Sequence, residues 1–257
     1  MIYYGLTIRE QDDIVWGSFD KLEQFGFFKH WITTRKGGVS KGSLAELNLA
    51  DHVGDDKETV KKNREKVSRI LCGSGNIYLP RQVHGTQIIV PTKESKECDG
   101  DVLIMTEPGI AGGILTADCL PIIMADPVNK IVALVHAGRL GLFSLILKKT
   151  IEEMKSVYKT DPADLVVGIG PGMRSCCYEV GEEIFEGEVD AFKKFWNSDG
   201  KLDMIFAANS QLLEAGVLMT NIHDSEICTS CQDNVFFSHR GQKGKAGRFM
   251  TGAVIQK

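Results

Sequence analysis

Between Asp101 and Ala137 the chain runs through four apolar stretches, DVLIM, AGGIL, LPIIMA and IVALVHA, each bounded by Gly, Pro or Asp. Short apolar runs closed off by turn formers are the pattern of buried strands. The four follow one another with no room for a helix between them, which predicts antiparallel or mixed sheet and excludes the strand-helix alternation of a Rossmann fold. Asp126-Pro127 marks a turn between LPIIMA and IVALVHA, so these two runs are expected as neighbouring strands. TQIIV upstream and LVVGIG downstream add two further strand candidates. Helical periodicity appears elsewhere. DKETVKKNREKVSRIL, from Asp56, puts Val60, Val67, Ile70 and Leu71 on one face among charges, with Asp55 or Asp56 available as the cap. LFSLILKKTIEEMKSVY from Leu142 and AANSQLLEAGV from Ala207 read the same way, and EEIFEGEVDAFKKFW is a weaker helix interrupted by Gly187. No internal repeat, low-complexity tract or linker divides the chain. The pattern therefore predicts an α/β (α+β) fold, a single domain over residues 1–257 with central mixed β-sheets covered by helices.

Composition adds limits rather than detail. A chain of 257 residues with 43% hydrophobic content can bury a sizeable core. Its 30 basic and 34 acidic residues leave no basic field of the kind that draws proteins to nucleic acid or anionic lipid. The opening MIYYGLTIREQDDIVW has no charged start followed by an apolar core, and no run approaches the length of a membrane span. A cytoplasmic protein with no nucleic-acid or membrane partner is expected. The seven cysteines, among them the adjacent pair Cys176-Cys177, do not resemble a secreted disulfide framework. Reduced thiols are expected, which leaves Cys119 free to ionise.

The candidate chemistry lies at strand ends. RQVHG, TADCLP and VHAG each present one soft or borderline ligand, His84, Cys119 and His136. Zinc takes imidazole and thiolate readily, and a three-ligand site leaves a position open for water or substrate. Copper suits the same set, with Met105 or Met124 as an axial ligand, but six histidines are too few for an additional multinuclear centre. Read one at a time, such a Cys is more often a small buried hydrophobe and such a His a hydrogen-bonding residue. Three glycine-containing stretches carry cations: TTRKGGVSKG with Arg35, Lys36 and Lys41, GIGPGMRSCC with Arg174, and SHRGQKGKAGR with Arg240, Lys243, Lys245 and Arg248. Each is either a solvated loop or an anion cradle. CTSC, Cys228 to Cys231, reads as half of a zinc ribbon or a redox pair. With no second such pair to complete four ligands, structural cysteines are the better reading, and Cys176-Cys177 receives no catalytic role.

Taken in order along the chain, TTRKGGVS, LNLADHVGDD, RQVHGTQ, TADCLPI, VHAG, CCYEVGEEI and CTSCQDNVFFSHR resemble the bacterial laccase-domain or polyphenol oxidase family. Its members are also described as zinc-dependent purine nucleoside phosphorylases with adenosine deaminase activity. The resemblance implies a zinc ion, with copper as the alternative, held by His84, Cys119 and His136 as the catalytic centre. It also implies a purine nucleoside and phosphate as substrates, with Arg35, Asn48, Arg139, Arg174 and Arg248 as the substrate-binding set. Asp118, beside Cys119, is the candidate proton shuttle. Two departures stand out. Where the family usually writes HAGWRG this chain has HAGRLG, so Arg139 replaces a tryptophan and Leu140 an arginine. Both positions are expected to line the pocket or its rim, and the lost arginine to weaken phosphate affinity. RSCCYEV in place of GPCCYEV is a smaller change. A copper-dependent phenol oxidase and a decayed nucleoside-binding protein are the alternative functions. Oligomeric state is left open.

Overall fold

The computed structural model of the chain describes every residue except Met1, Tyr4, Ser74 and Glu186, without the side chains of residues 2, 3 and 187–190. In chain order the strands are β1 (Ile2–Tyr3), β2 (Leu6–Gln11), β3 (Ile14–Ser18), β4 (Phe28–Thr33), β5 (Ile77–Tyr78), β6 (Ile88–Ile89), β7 (Val102–Met105), β8 (Ala111–Thr116), β9 (Leu120–Asp126), β10 (Ile131–Ala137), β11 (Val166–Ile169), β12 (Ile222–Asp224) and β13 (Phe249–Ile255). The helices are α1 (Asp20–Glu23), α2 (Lys57–Val67), α3 (Arg139–Phe143), α4 (Ile146–Tyr158) and α5 (Met204–Glu214). The strands form two mixed sheets, one ordered β1-β2-β3-β4-β13-β8-β5 and the other β12-β11-β9-β10-β7-β6.

All six strand candidates read from the pattern are strands, and β7, β9 and β10 are buried at every position because both faces of their sheet are covered. Side chains alternate between the two covers, as the period of a strand requires. On β9, Ile122 and Met124 face α3, α4 and α5, meeting Leu142, Ile146, Leu147, Ile151 and Leu212. Ile123 and Ala125 face the other sheet, meeting Phe28, Ile32, Ile114 and Phe249. The outer face of that second sheet carries Trp31, Leu115 and Met250 under Val67 of α2 and the Leu47–Ala50 segment. Met105 and Met124 pair with Val132 and Ala133, toward the end of the strands opposite Cys119 and His136, so the register places neither as the axial ligand of the copper reading.

The helix from Asp56 begins where expected, its carboxylate accepting the Thr59 N–H at 2.8 Å. The helix expected from Leu142 is two: α3 ends near Ser144, and Leu145 takes a left-handed φ of 60° before α4. This break turns Leu142 and Phe143 toward the sheet. EEIFEGEVDAFKKFW, expected as a weak helix interrupted by Gly187, forms two 3-10 helices, Glu182–Phe185 and Gly187–Phe195, with Glu186 outside the described residues. The strands β1 to β5, β12 and β13 are not among the six candidates. β2, LTIREQ, is half exposed, so its apolar and polar positions blur. Among the described residues no helix is long and apolar enough to cross a membrane.

Candidate active site

The hairpin of β9 and β10 brings the first two ligands together. Its register pairs Leu120 with Ala137 and Pro121 with His136, so Cys119, one residue before β9, lies across from the end of β10. The turn at the far end is held by Asp126, whose carboxylate accepts the Val128 and Asn129 N–H groups at 2.9 Å each and the Thr160 hydroxyl at 2.6 Å. His84 arrives from the loop between β5 and β6. Gln82 holds that loop on β8, donating to the Leu115 carbonyl and accepting from its N–H, both at 2.8 Å.

Asp101, at the mouth of β7 and wholly buried, organises the centre. Its carboxylate accepts the consecutive N–H groups of Val83 at 3.3 Å, His84 at 3.0 Å and Gly85 at 2.7 Å. Those bonds stabilise His84 in the left-handed region, at φ 59°. The same carboxylate takes the His136 Nδ1 hydrogen at 2.7 Å. Burial pushes the Asp101 carboxyl up, but the hydrogen bond and charge of His136, with the Gly85 and His84 N–H groups, outweigh it and keep the group ionised. An ionised Asp101 holds the proton on His136 Nδ1, so Nε2 is the nitrogen that would serve a metal.

The ligand atoms of His84, Cys119 and His136 all lie within 4.8 Å of one another, and the two imidazole rings stand 4.8 Å apart at 71°. Burial would raise the Cys119 thiol, yet the charge and hydrogen bond of His136, joined by His84, pull it down to about 6. Burial likewise opposes charge on His136, and the Cys119 thiolate and Asp101 drive it up instead. A ready thiolate beside two imidazoles is the donor set of a zinc or copper ion, so the residues present fit a metal. Gly138 leaves the room. A Cβ there would stand 2.9 Å from Cys119 Sγ and 3.2 Å from His84 Cδ2.

The triad forms part of the wall of a pocket of about 540 Å³, within the usual range for small-molecule sites. Of the residues expected to bind substrate, the structure brings Arg139 and Arg248 to this pocket. Arg139 sits 5.9 Å over Phe143 and shares the pocket wall with Tyr178. Arg248 donates through Nη1 to the Ala246 and Gly247 carbonyls and is close enough to Cys119 and Asp118 to feel both charges. Arg35, Asn48 and Arg174 do not line it. Arg35 stacks on Phe237 at 4.5 Å and donates to the carbonyls of Ala45, Ser43 and Asp233. Asn48 is buried and accepts the Arg248 N–H at 3.0 Å, so it positions that residue. Arg174 is paired with Asp224 through both terminal nitrogens. Leu140 is not part of this lining and is half exposed on α3, next to Arg139. Asp118 lines the pocket, but its carboxylate accepts the Thr229 and Ser238 hydroxyls and the Arg240 N–H, each at 2.7 Å. These contacts brace the loops around the pocket wall.

Residues 29–256 match the family model described as multi-copper polyphenol oxidoreductase laccase. The chain belongs to this family. A purine nucleoside phosphorylase of Bacteroides thetaiotaomicron is 30% identical, the alignment covering 93% of this chain and 96% of that one. The crystal structure of YlmD from Geobacillus stearothermophilus superposes with a TM-score of 0.89 at 30% identity, covering 99% of this chain and 100% of the other. YlmD is itself named a purine nucleoside phosphorylase. An adenosine deaminase, RL5, from an unknown prokaryotic organism is 32% identical over 90% of this chain and 98% of its own. The laccase-domain α+β fold is thus shared along the whole chain.

Sequence reasoning passed over Asp101, Tyr178, Thr229 and Ser238. Asp101 left a trace, since an acid opening an apolar strand run asks for a buried partner. The other three are ordinary polar residues in loops, and nothing local distinguishes them.

Proposed function

We propose that this laccase-domain protein is a zinc-dependent purine nucleoside phosphorylase that cleaves adenosine, inosine or methylthioadenosine with phosphate to free base and sugar 1-phosphate, and that the same site deaminates adenosine. The observation that carries the reading is the convergence of three ligand side chains on the wall of a cation-lined pocket. The names of the relatives supply the substrate class. Residues 1–257 act as one catalytic domain on this reading, and the protein works in the cytoplasm, where its free cysteines stay reduced.

In phosphorolysis a phosphate oxygen bonds to the anomeric carbon as the bond from that carbon to the purine nitrogen breaks. The base leaves with the electron pair and takes up a proton. His84, Cys119 and His136 would hold the zinc, which when bound supplies Lewis acidity toward purine or water. Arg139 and Arg248 orient phosphate through forked hydrogen bonds that lysine cannot copy. The pocket walls hold sugar and phosphate in reach of one another, replacing an encounter in solution. Deamination exchanges water for ammonia at the purine carbon bearing the amino group, the reaction a zinc site most directly favours. A laccase must collect several electrons for oxygen, and among the described residues the second group of metal-ligating side chains is all cysteine rather than a cluster of imidazoles.

Purified protein incubated with adenosine should release adenine and ribose 1-phosphate only when phosphate is present. Equal release without phosphate would make it a hydrolase. Oxygen-dependent phenol oxidation without phosphorolysis would establish the copper reading, and binding without turnover the nucleoside-binding one.

The placement of the HAGRLG loop makes a sharper prediction. Arg139→Ala removes a charge-assisted contact of about 1.5–3 kcal/mol, so the phosphate KM should rise roughly tenfold to hundredfold. Leu140→Arg adds a guanidinium outside the pocket and should change that KM by no more than about twofold, the usual scale of surface substitutions. A large fall in phosphate KM for Leu140→Arg would show that α3 turns its exposed side to the anion.

A further inference from the structure

A second group of ligand-bearing side chains stands apart from the triad. Cys176, Cys177, Cys228 and Cys231 bring their four sulfurs within 4.8 Å of one another. Cys231 Sγ lies 3.7 Å from Cys176 Sγ and 3.4 Å from Cys177 Sγ. The sulfur–sulfur edge of a tetrahedron built on zinc–sulfur bonds of about 2.3 Å is about 3.8 Å. The geometry points to a four-cysteine site for one zinc ion, formed by the adjacent pair Cys176-Cys177 and the CTSC loop.

Two further features fit a metal better than a set of idle thiols. The two segments are also joined by backbone, with Gly172 donating to the Ile227 carbonyl at 3.2 Å and Thr229 to that of Gly172 at 3.1 Å. A site fixed this way is present before the ion arrives. Lys201 Nζ donates to the Cys176 carbonyl at 3.3 Å, placing a cation beside a centre that would carry net negative charge. A disulfide is a poorer account, since Cys231 has two near partners, either choice strands two thiols, and all four sulfurs lie within 4.8 Å of one another. An iron-sulfur cluster, with several metals inside its thiolates, needs them spread more widely.

The site would be structural, with all four positions taken by protein. Its position gives it an effect on the pocket. Cys177 precedes Tyr178, which lines the pocket together with Arg139, and Cys228 precedes Thr229, which donates to Asp118. Zinc at the four sulfurs would clamp the two loops that carry these residues.

Metal analysis of the full chain, purified without added metal, tests the assignment independently of the catalytic reading. Wild type should carry zinc at the cysteines in addition to whatever the triad holds. Cys119→Ala should keep one zinc per chain, whose X-ray absorption shows sulfur neighbours only, at about 2.3 Å. Cys228→Ser combined with Cys231→Ser should lose that zinc while the triad's metal remains. Should this double variant fail to fold, the absorption spectrum of Cys119→Ala and the alkylation of native wild type decide, the four thiols being protected until a strong chelator is added. A metal-free Cys119→Ala protein, rapid alkylation of the four cysteines in folded wild type, a disulfide among them, or a different metal on the sulfurs would each overturn the proposal.

Discussion

Cys119→Ala should cost the triad its metal and lower phosphorolysis by more than about 100-fold, while thermal stability shifts by no more than about 1 kcal/mol. The size follows from what Cys119 supplies. It supplies the one thiolate of the set, and its charge acts on His136 together with that of Asp101. Loss of an outer partner of a metal ligand already costs about 10–100-fold in affinity or activity, and a direct ligand costs more. The fold should survive, because Cys119 is only half-buried and precedes β9 without entering its ladder. Small, partly exposed side chains away from the core are worth about 1 kcal/mol or less. Zinc analysis, kcat/KM for adenosine with phosphate, and a melting curve measure the three parts. Full activity in the alanine variant would remove Cys119 from the centre altogether.

Asp101→Asn should damage metal binding and stability together. The carboxylate accepts four hydrogens, from Val83, His84, Gly85 and His136, with no exposure to water. An asparagine of the same shape offers one oxygen as acceptor and turns an N–H2 group against the remaining donors. Removing one partner of a buried charged pair costs about 3–5 kcal/mol, because the other partner is left without solvent or counterion. At about 3 kcal/mol and 2–4 °C per kcal/mol for a chain of this size, the apoprotein should melt roughly 6–12 °C lower. Metal affinity should fall by about 10–100-fold as His136 loses its fixed tautomer and the His84 loop loosens. A variant that melts like wild type but binds metal poorly would assign Asp101 to the tautomer alone. One that binds normally would show that the backbone by itself positions both imidazoles.

The central hairpin was legible in the sequence because its instructions are local. Two apolar runs, a turn at Asp126-Pro127 and no intervening helix leave one antiparallel pairing, and that pairing alone carries Cys119 across from His136. The α2 helix was legible for the same reason, its period and its Asp56 cap lying within a few turns of one another. The split between α3 and α4 was not, since the left-handed Leu145 is offset by packing of Leu142 and Phe143 on the sheet and has no local signal.

The destinations of the polar side chains were decided by tertiary structure. Arg35, Arg174 and Arg248 look alike in the sequence, each a cation beside glycines. Only the packing of distant loops gives Asp233 and Phe237 to the first, Asp224 to the second and the pocket to the third. Asp101 is likewise one acid among many until the fold turns three N–H groups and an imidazole toward it. The CTSC pair lacked a partner in the sequence because its partner, Cys176-Cys177, has no metal-binding spacing of its own. Periodicity along a chain records which face of a strand or helix is buried, a property of neighbouring residues. Which charge, thiol or hydroxyl meets which is set by contacts between segments far apart in the chain, and those exist only once the sheets and loops have packed.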